Sequence, residues 1–291
     1  MTMKKIFYFF AATVVLAAVG CSKDDAASND AKYVSEIKIG FEGDTRVSAS
    51  HSAAGLKFAW EDGDAVYVYE DGNTEATAKM LEYDAASATF KPQSGSDTNM
   101  LEVGKKYFAV TYSDWYWISV DENTGASVVE SKLGNGLGLK SIPMISDVFE
   151  ATAENTMATM HHLVGVVEIP VIAAVDGVQL QKMTLYTQRA NSAVSGYFAV
   201  SPVAPYDLIY SGRTGYFESA NQTASKAPIE LSTTEATSIF IPAFPGIYEP
   251  IDFKYTLVGD NEMIIETERS LIVERGKITK VSEMVLGDNA E

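Results

Sequence analysis

The chain has 291 residues, with 39 acidic side chains against 22 basic ones and a formal net charge of −17 at pH 7. That excess repels phosphate backbones, and lysine and arginine nowhere form a run longer than two, which argues against nucleic acid as a partner. The single cysteine, Cys21, rules out a disulfide within the chain.

Residues 1–20 read as a secretory signal. Lys4 and Lys5 open it, residues 6–19 carry no charge, and the small residues Ala17-Ala18-Val19-Gly20 stand immediately before Cys21. The apolar run is shorter than the roughly 20 residues a membrane-spanning helix needs. Ala18-Val19-Gly20-Cys21 resembles the lipobox of a bacterial lipoprotein signal. The resemblance implies cleavage before Cys21 and acylation of its thiol and new amino group, with no cofactor besides this covalent lipid. Each buried acyl methylene is worth about 0.8 kcal/mol, so several chains give a lasting anchor in the outer membrane. Ser22-Lys23-Asp24-Asp25 resembles the surface-export signal of Bacteroidetes lipoproteins, which implies display on the outer face. Without residues 1–20, 20 basic residues face 39 acidic ones, a charge of −19.

Residues 21–32 have the small, polar, charged composition of a linker. Strand patterns follow. Ile37, Ile39 and Phe41 alternate with Glu36, Lys38 and Gly40, so a first strand is expected over 33–42 with those three side chains inward. Leu56, Phe58 and Trp60 alternate in the same way, and the acidic turn Glu61-Asp62-Gly63-Asp64 leads into 65–69. Further strands are expected at 79–84, 104–111, 115–120, 163–171, 178–186, 194–200, 237–241, 252–257, 262–267 and 278–286. All are short and rich in Val, Ile, Tyr, Phe and Thr. Residues 152–164 fit a helix or an extended segment; 121–140 read as loop. The fold class is all-β, with antiparallel sandwiches. A boundary near 152 divides it into an N-terminal sandwich, 33–152, and a C-terminal one, 153–291.

Catalytic and metal chemistry is scarce. His51 falls in a polar loop. His161 and His162 are neighbours, so in a strand they point to opposite faces and cannot grip one metal. Asp62-Gly63-Asp64 lacks the ligand spacing of a calcium loop and reads as a hairpin turn. Gly134, Gly136 and Gly138 lack the spacing of a phosphate cradle and read as loop. Neither G-x-S-x-G nor H-E-x-x-H occurs, so no catalytic, metal or cofactor site is expected and an enzyme is not the reading. Alternation puts Trp115 and Trp117 on one face and Tyr116 on the other. Two readings stand for the tryptophans: core packing, or aromatic faces that stack on sugar rings.

Taken together, several passages resemble the fimbrillins of Bacteroidetes, the lipoprotein pilins of type V pili. They are Asp44-Thr45-Arg46-Val47, the stretch Phe58-Ala59-Trp60-Glu61-Asp62-Gly63-Asp64, and Pro143-Met144 followed by Met160-His161-His162-Leu163-Val164-Gly165. Ser195-Gly196-Tyr197-Phe198, Ile241-Pro242-Ala243-Phe244-Pro245-Gly246 and Glu274-Arg275-Gly276-Lys277 complete the series. The resemblance implies two transthyretin-like β-sandwiches in tandem, and a fimbrial structural or adhesive subunit at the cell surface. Other pilin subunits and a host protein or glycan are the implied partners.

It also implies a mode of assembly. In such pilins a trypsin-like protease removes the N-terminal segment with its first strand, and a strand from a neighbouring subunit fills the groove. Here the cut falls between Arg46 and Val47; Arg46 is the only arginine between the first strand and the next. The displaced side chains are Ile37, Ile39 and Phe41. The implied donor is the last strand, with Ile278, Val281, Met284, Val285 and Leu286; its apolar end departs from the alternation of an ordinary edge strand. The other reading of that strand is that it completes its own sandwich. The alternative function is a glycan-binding surface lipoprotein of a nutrient-uptake system, carried by Trp115 and Trp117.

Overall fold

A chain whose apolar side chains recur at every second residue can bury them only as sheets packed face to face. The computed structural model describes residues 32–42, 47–52, 55–75, 77–93, 97–111, 116–133, 142–186, 195–210 and 228–287, and contains no α-helix among them. These residues belong to one compact unit, 31–291. The fold is all-β, built from several sheets in which antiparallel pairing dominates.

The largest sheet runs in the order Lys38–Phe41, Met157–His162, Met144–Ser146, Lys106–Val110, Ala65–Glu70, Lys79–Asp84, Thr89–Pro92. Two four-stranded sheets serve the C-terminal part. One places Gly165–Ala173 between Thr237–Ala243 and the last strand; the other runs Ile229–Glu230, Gln179–Tyr186, Asp252–Leu257, Glu262–Ile265. A further sheet joins Tyr116–Val120, Ser127–Leu133, Gly196–Val200 and Ile209–Tyr210.

Three apolar cores result, and the two-residue period of a strand explains how they connect. Tyr107 and Ala109 enter the first core, while Phe108 and Val110, on the other face of the same strand, enter the middle one. Val167, Ile169 and Val171 enter the third core, while Val166 points back into the middle. With both faces covered, Gly165–Ala173 is buried along almost its whole length.

Several sequence expectations are changed by this arrangement. Lys38–Phe41 of the first strand and both pieces of the last strand pair in parallel with their neighbours, while Tyr33–Val34 and Ile37 pair antiparallel. The regular element within 152–164 is a strand, Met157–His162, and it joins the sheet of the N-terminal residues, past the boundary placed at 152. Gly196–Val200 likewise pairs with Ser127–Leu133 from before that boundary. Ser127–Leu133 lies within a stretch read as loop. Its buried face alternates serine with aliphatic residues, Ser127, Val129, Ser131 and Leu133, so the hydrophobic period is masked. His51 lies in the strand Val47–Ser52, paired with Leu56, not in a loop. Asp62-Gly63-Asp64 is a turn between strands of different sheets, not a hairpin: Gly55–Phe58 pairs with Val47–Ser52, and Ala65–Glu70 with Lys79–Asp84. Asp62 and Asp64 are used as local acceptors, from Ala85 N (3.0 Å) and Glu61 N (2.7 Å).

Candidate functional site

The first strand is two short pieces joined by a bridge, and between them they touch three separate edges. Tyr33–Val34 pairs with Leu101–Glu102. Ile37 exchanges both backbone hydrogen bonds with Phe90, at 2.9 and 2.8 Å. Lys38–Phe41 then runs parallel to Met157–His162. Since Phe90 lies in the strand at the far end of the large sheet, residues 33–41 sew the two ends of that sheet together.

The side chains follow the alternation. Ile37 is 2% exposed and Ile39 7%, both in the first core together with Val34. Phe41 is half-buried against Trp60, with ring centroids 4.7 Å apart. The Trp60 indole meets Phe90 edge-on at 4.8 Å and donates to the Ile39 carbonyl at 3.0 Å. Burying a side chain such as Val34, Ile37 or Ile39 contributes about 1.5–3 kcal/mol each. Their removal would bare Phe90 and Trp60 and open the backbone edges of Thr89–Pro92 and Met157–His162.

The last strand is also in two pieces. Ile278–Lys280 and Met284–Leu286 both run parallel to Gly165–Ala173, so in this structure it completes its own sheet. Leu286 is fully buried, Ile278, Val281 and Met284 are partly buried, and Val285 is 52% exposed. Lys280 donates to the buried Glu168 carboxylate (3.0 Å), which also accepts from Ser238 Oγ (2.8 Å). Beside this strand lies an open groove of about 650 Å³, floored by Ile251, Phe253 and Leu271 and walled by Ile265, Val281 and Met284.

Between the two terminal strands stands the histidine pair. His161 Nδ1 lies 2.7 Å from Glu42 Oε2, and Nε2 lies 3.1 Å from both Asp147 Oδ2 and the Tyr206 hydroxyl. Each ring nitrogen thus faces a carboxylate oxygen. The Tyr206 ring stacks on His161 at 4.3 Å, and its hydroxyl donates to Asp147 Oδ1. Burial, followed by the hydrogen bond to Asp147, raises the Tyr206 pKa well above its ordinary value. Tyr206 has a left-handed backbone, φ 58°, which costs a non-glycine residue about 1–3 kcal/mol. Arg275 holds it there, donating to the carbonyls of Pro205 and Tyr206 at 2.7 Å each. On the opposite face, the buried His162 ring lies parallel to Phe41 at 6.5 Å. Burial pushes the His162 pKa down to about 4.

Cys21, Arg46, Trp115 and the glycines 134, 136 and 138 lie outside the described residues. Val47 opens the strand Val47–Ser52, and of Trp117 only the backbone, in Tyr116–Val120, is described, so neither reading of the tryptophans is decided. Among the described residues no three histidine, cysteine, aspartate or glutamate side chains are grouped to hold a metal. The network of Glu42, Asp147, Tyr206 and Arg275 around His161 was not foreseen. Only the adjacent histidines signalled it, because the other four are scattered over more than 200 residues of sequence.

No protein-family model matches the chain, and no curated protein matches it. Among its structural neighbours are proteins of Bacteroides named for cell adhesion or fimbriae. A candidate cell adhesion protein of Bacteroides ovatus aligns over 89% of this chain and 94% of its own, with a TM-score of 0.54 and 12% identity. A second, from Bacteroides uniformis, covers 87% and 94%, with a TM-score of 0.48 and 11% identity. A fimbrial protein of Bacteroides ovatus covers 87% of this chain and 50% of its own, with a TM-score of 0.38 and 9% identity. The likeness to the first of these is one of fold.

Proposed function

We propose that this chain is a non-catalytic, surface-displayed lipoprotein that serves as an adhesive subunit of a fimbria. In this reading the lipid on Cys21 holds it in the outer membrane, and a protease cut after Arg46 frees residues 33–41. A strand of a related subunit, here the last strand with Ile278, Val281, Met284, Val285 and Leu286, then takes the vacated place by β-augmentation. To act as donor, that strand leaves Gly165–Ala173. The partners are other pilin subunits and a host protein or glycan.

The observation that carries this reading is the seating of the first strand. A contiguous nine-residue segment supplies buried side chains to the first core and backbone pairing to three edges. It ends five residues before Arg46. Cutting there severs the segment at one point and leaves a slot shaped for an extended chain. The fold shared with a candidate cell adhesion protein of Bacteroides agrees with this role.

The test is to treat the purified chain with an arginine-specific protease and examine it by electrophoresis in mild detergent without boiling. Ladders of oligomers are expected from the wild type and none from Arg46→Ala. A wild-type protein cut after Arg46 that stays monomeric would refute strand exchange. Anchoring is tested separately, since Cys21→Ala is expected to lose labelling by an acyl-chain probe in cells.

A further inference from the structure

The paired histidines face both ends of the chain. His161 and His162 are consecutive in Met157–His162, so the pleat sends them to opposite faces, and on each face the ring meets a residue of the first strand's end. Glu42 lies against His161 and Phe41 against His162. On each face the contact continues to the turn 274–277, which delivers the chain into Ile278–Lys280. From His161 it passes through the stacked Tyr206, whose carbonyl Arg275 grips. From His162 it reaches Gly276 directly: a Cβ on Gly276 would lie 3.4 Å from His162 Cδ2. The backbone φ of +67° at Gly276 also calls for glycine.

The topology makes the turn a suitable element to control. Gly276 N donates to Val164 O at 3.0 Å, and Val166 N donates to Lys277 O at 2.9 Å. These are the first bonds that align the last strand on Gly165–Ala173, and they form within five residues of the histidines. Beyond them the strand is interrupted at 281–283 and flanked by the open groove. Its pairing with Gly165–Ala173 begins at this first turn.

We propose that the His161–His162 pair couples the two terminal strands, so that loss of the first strand loosens the turn 274–277 and frees the last strand. This rests on the strand-exchange reading and adds an order of events to it. While residues 33–41 are in place, Glu42 holds the His161 ring that stacks with Tyr206, and Phe41 lies parallel to the His162 ring that neighbours Gly276. Removal takes away both supports together. A subunit thus keeps its donor strand seated until its own acceptor slot has been opened, which suppresses premature joining of uncut chains. Coupling of this kind needs an element with two states that both sites bias, here taken as the seated and released forms of the last strand.

The experiment is hydrogen–deuterium exchange on the uncut full chain at pH 7, read by mass spectrometry. Glu42→Gln leaves the core untouched, since the Glu42 side chain is largely exposed. It is expected to raise exchange in 278–286 about tenfold, within the usual range for coupled sites, and to leave Gln179–Tyr186 unchanged. His161→Gln is expected to have the same effect, and the double variant no more than either alone. A rise in both segments, a rise in neither, or additive effects of the two substitutions would overturn the proposal. Because no cleavage is involved, the two ideas fail separately. Wild-type ladders together with unchanged exchange in Glu42→Gln would remove the coupling alone. Coupled exchange without ladders would remove strand exchange alone.

Discussion

The first strand, Lys38–Phe41 with its preceding segment, and the last strand, Ile278–Lys280 with Met284–Leu286, each lie parallel to one of two consecutive strands, Met157–His162 and Gly165–Ala173. Their means of attachment differ. The first is fixed by apolar burial and by pairing to three edges, with Ile37 almost wholly enclosed. The last is paired to a single strand, with Leu286 deeply buried, Ile278, Val281 and Met284 partly buried, and an ion pair from Lys280 to the buried Glu168; a groove lies along its side and Val285 is half-exposed. The comparison teaches that two terminal strands can be held differently: one buries its apolar side chains in the first core, while the other keeps one side open to a groove.

Substitution in the first strand tests this contrast hardest. Ile37→Ala removes a buried branched side chain from the first core, which it shares with Phe90, and a loss of about 2–5 kcal/mol is expected from the urea midpoint. A loss below 1 kcal/mol would mean that the first strand is no better seated than the last.

Acid should weaken the junction between the two regions. The folded-state pKa of His162 is depressed to about 4, mainly by burial and further by the neighbouring His161, with Glu42 opposing. The unfolded chain therefore takes up a proton on this ring near its ordinary value of about 6.5, while the native chain does not. The stabilisation is present above that value and lost as pH falls towards 4, amounting to about 3 kcal/mol in all. Chemical denaturation from pH 7 to pH 4 measures it. His162→Phe should flatten this part of the profile; an unchanged slope would show that other groups produce it.

A smaller effect is expected from the ion pair of the last strand. Lys280→Met keeps the aliphatic stem but takes the cation from the buried Glu168, at a cost of about 1–2 kcal/mol, lowered by the solvent exposure of the lysine. The loss should appear as faster amide exchange in 278–286 and leave Lys38–Phe41 unchanged. Equal acceleration in both segments would erase the distinction between them. Smallest of all, Val285→Ala should shift the urea midpoint by no more than about 0.5 kcal/mol, as surface substitutions do. A larger loss would mean that Val285 packs against something in solution.

Much of the strand content was legible because alternation is a local signal. Ile37, Ile39 and Phe41 were read as inward from their spacing alone, and the first two are buried while the third packs half-covered on Trp60. Where the buried face carries serine, as in Ser127–Leu133, the same signal disappeared. The candidate site was legible only in part. Both terminal strands and the histidine pair could be marked out, but nothing near His161 in sequence points to Glu42, Asp147, Tyr206 or Arg275.

What the sequence by itself determined is which segments are extended and which side chains of each point together, since both follow from the two-residue period of a strand. The tertiary structure alone decided which strand lies beside which. It set Lys38–Phe41 and the last strand parallel to their neighbours, carried Met157–His162 and Gly196–Val200 into sheets shared with earlier residues, and brought Glu42, Asp147 and Tyr206 around one histidine. The physical reason is that backbone hydrogen bonds between strands are the same for every residue type except proline, which lacks the N–H. Partners are therefore chosen by how the apolar faces of the whole chain can be covered at once, and no single segment carries that information.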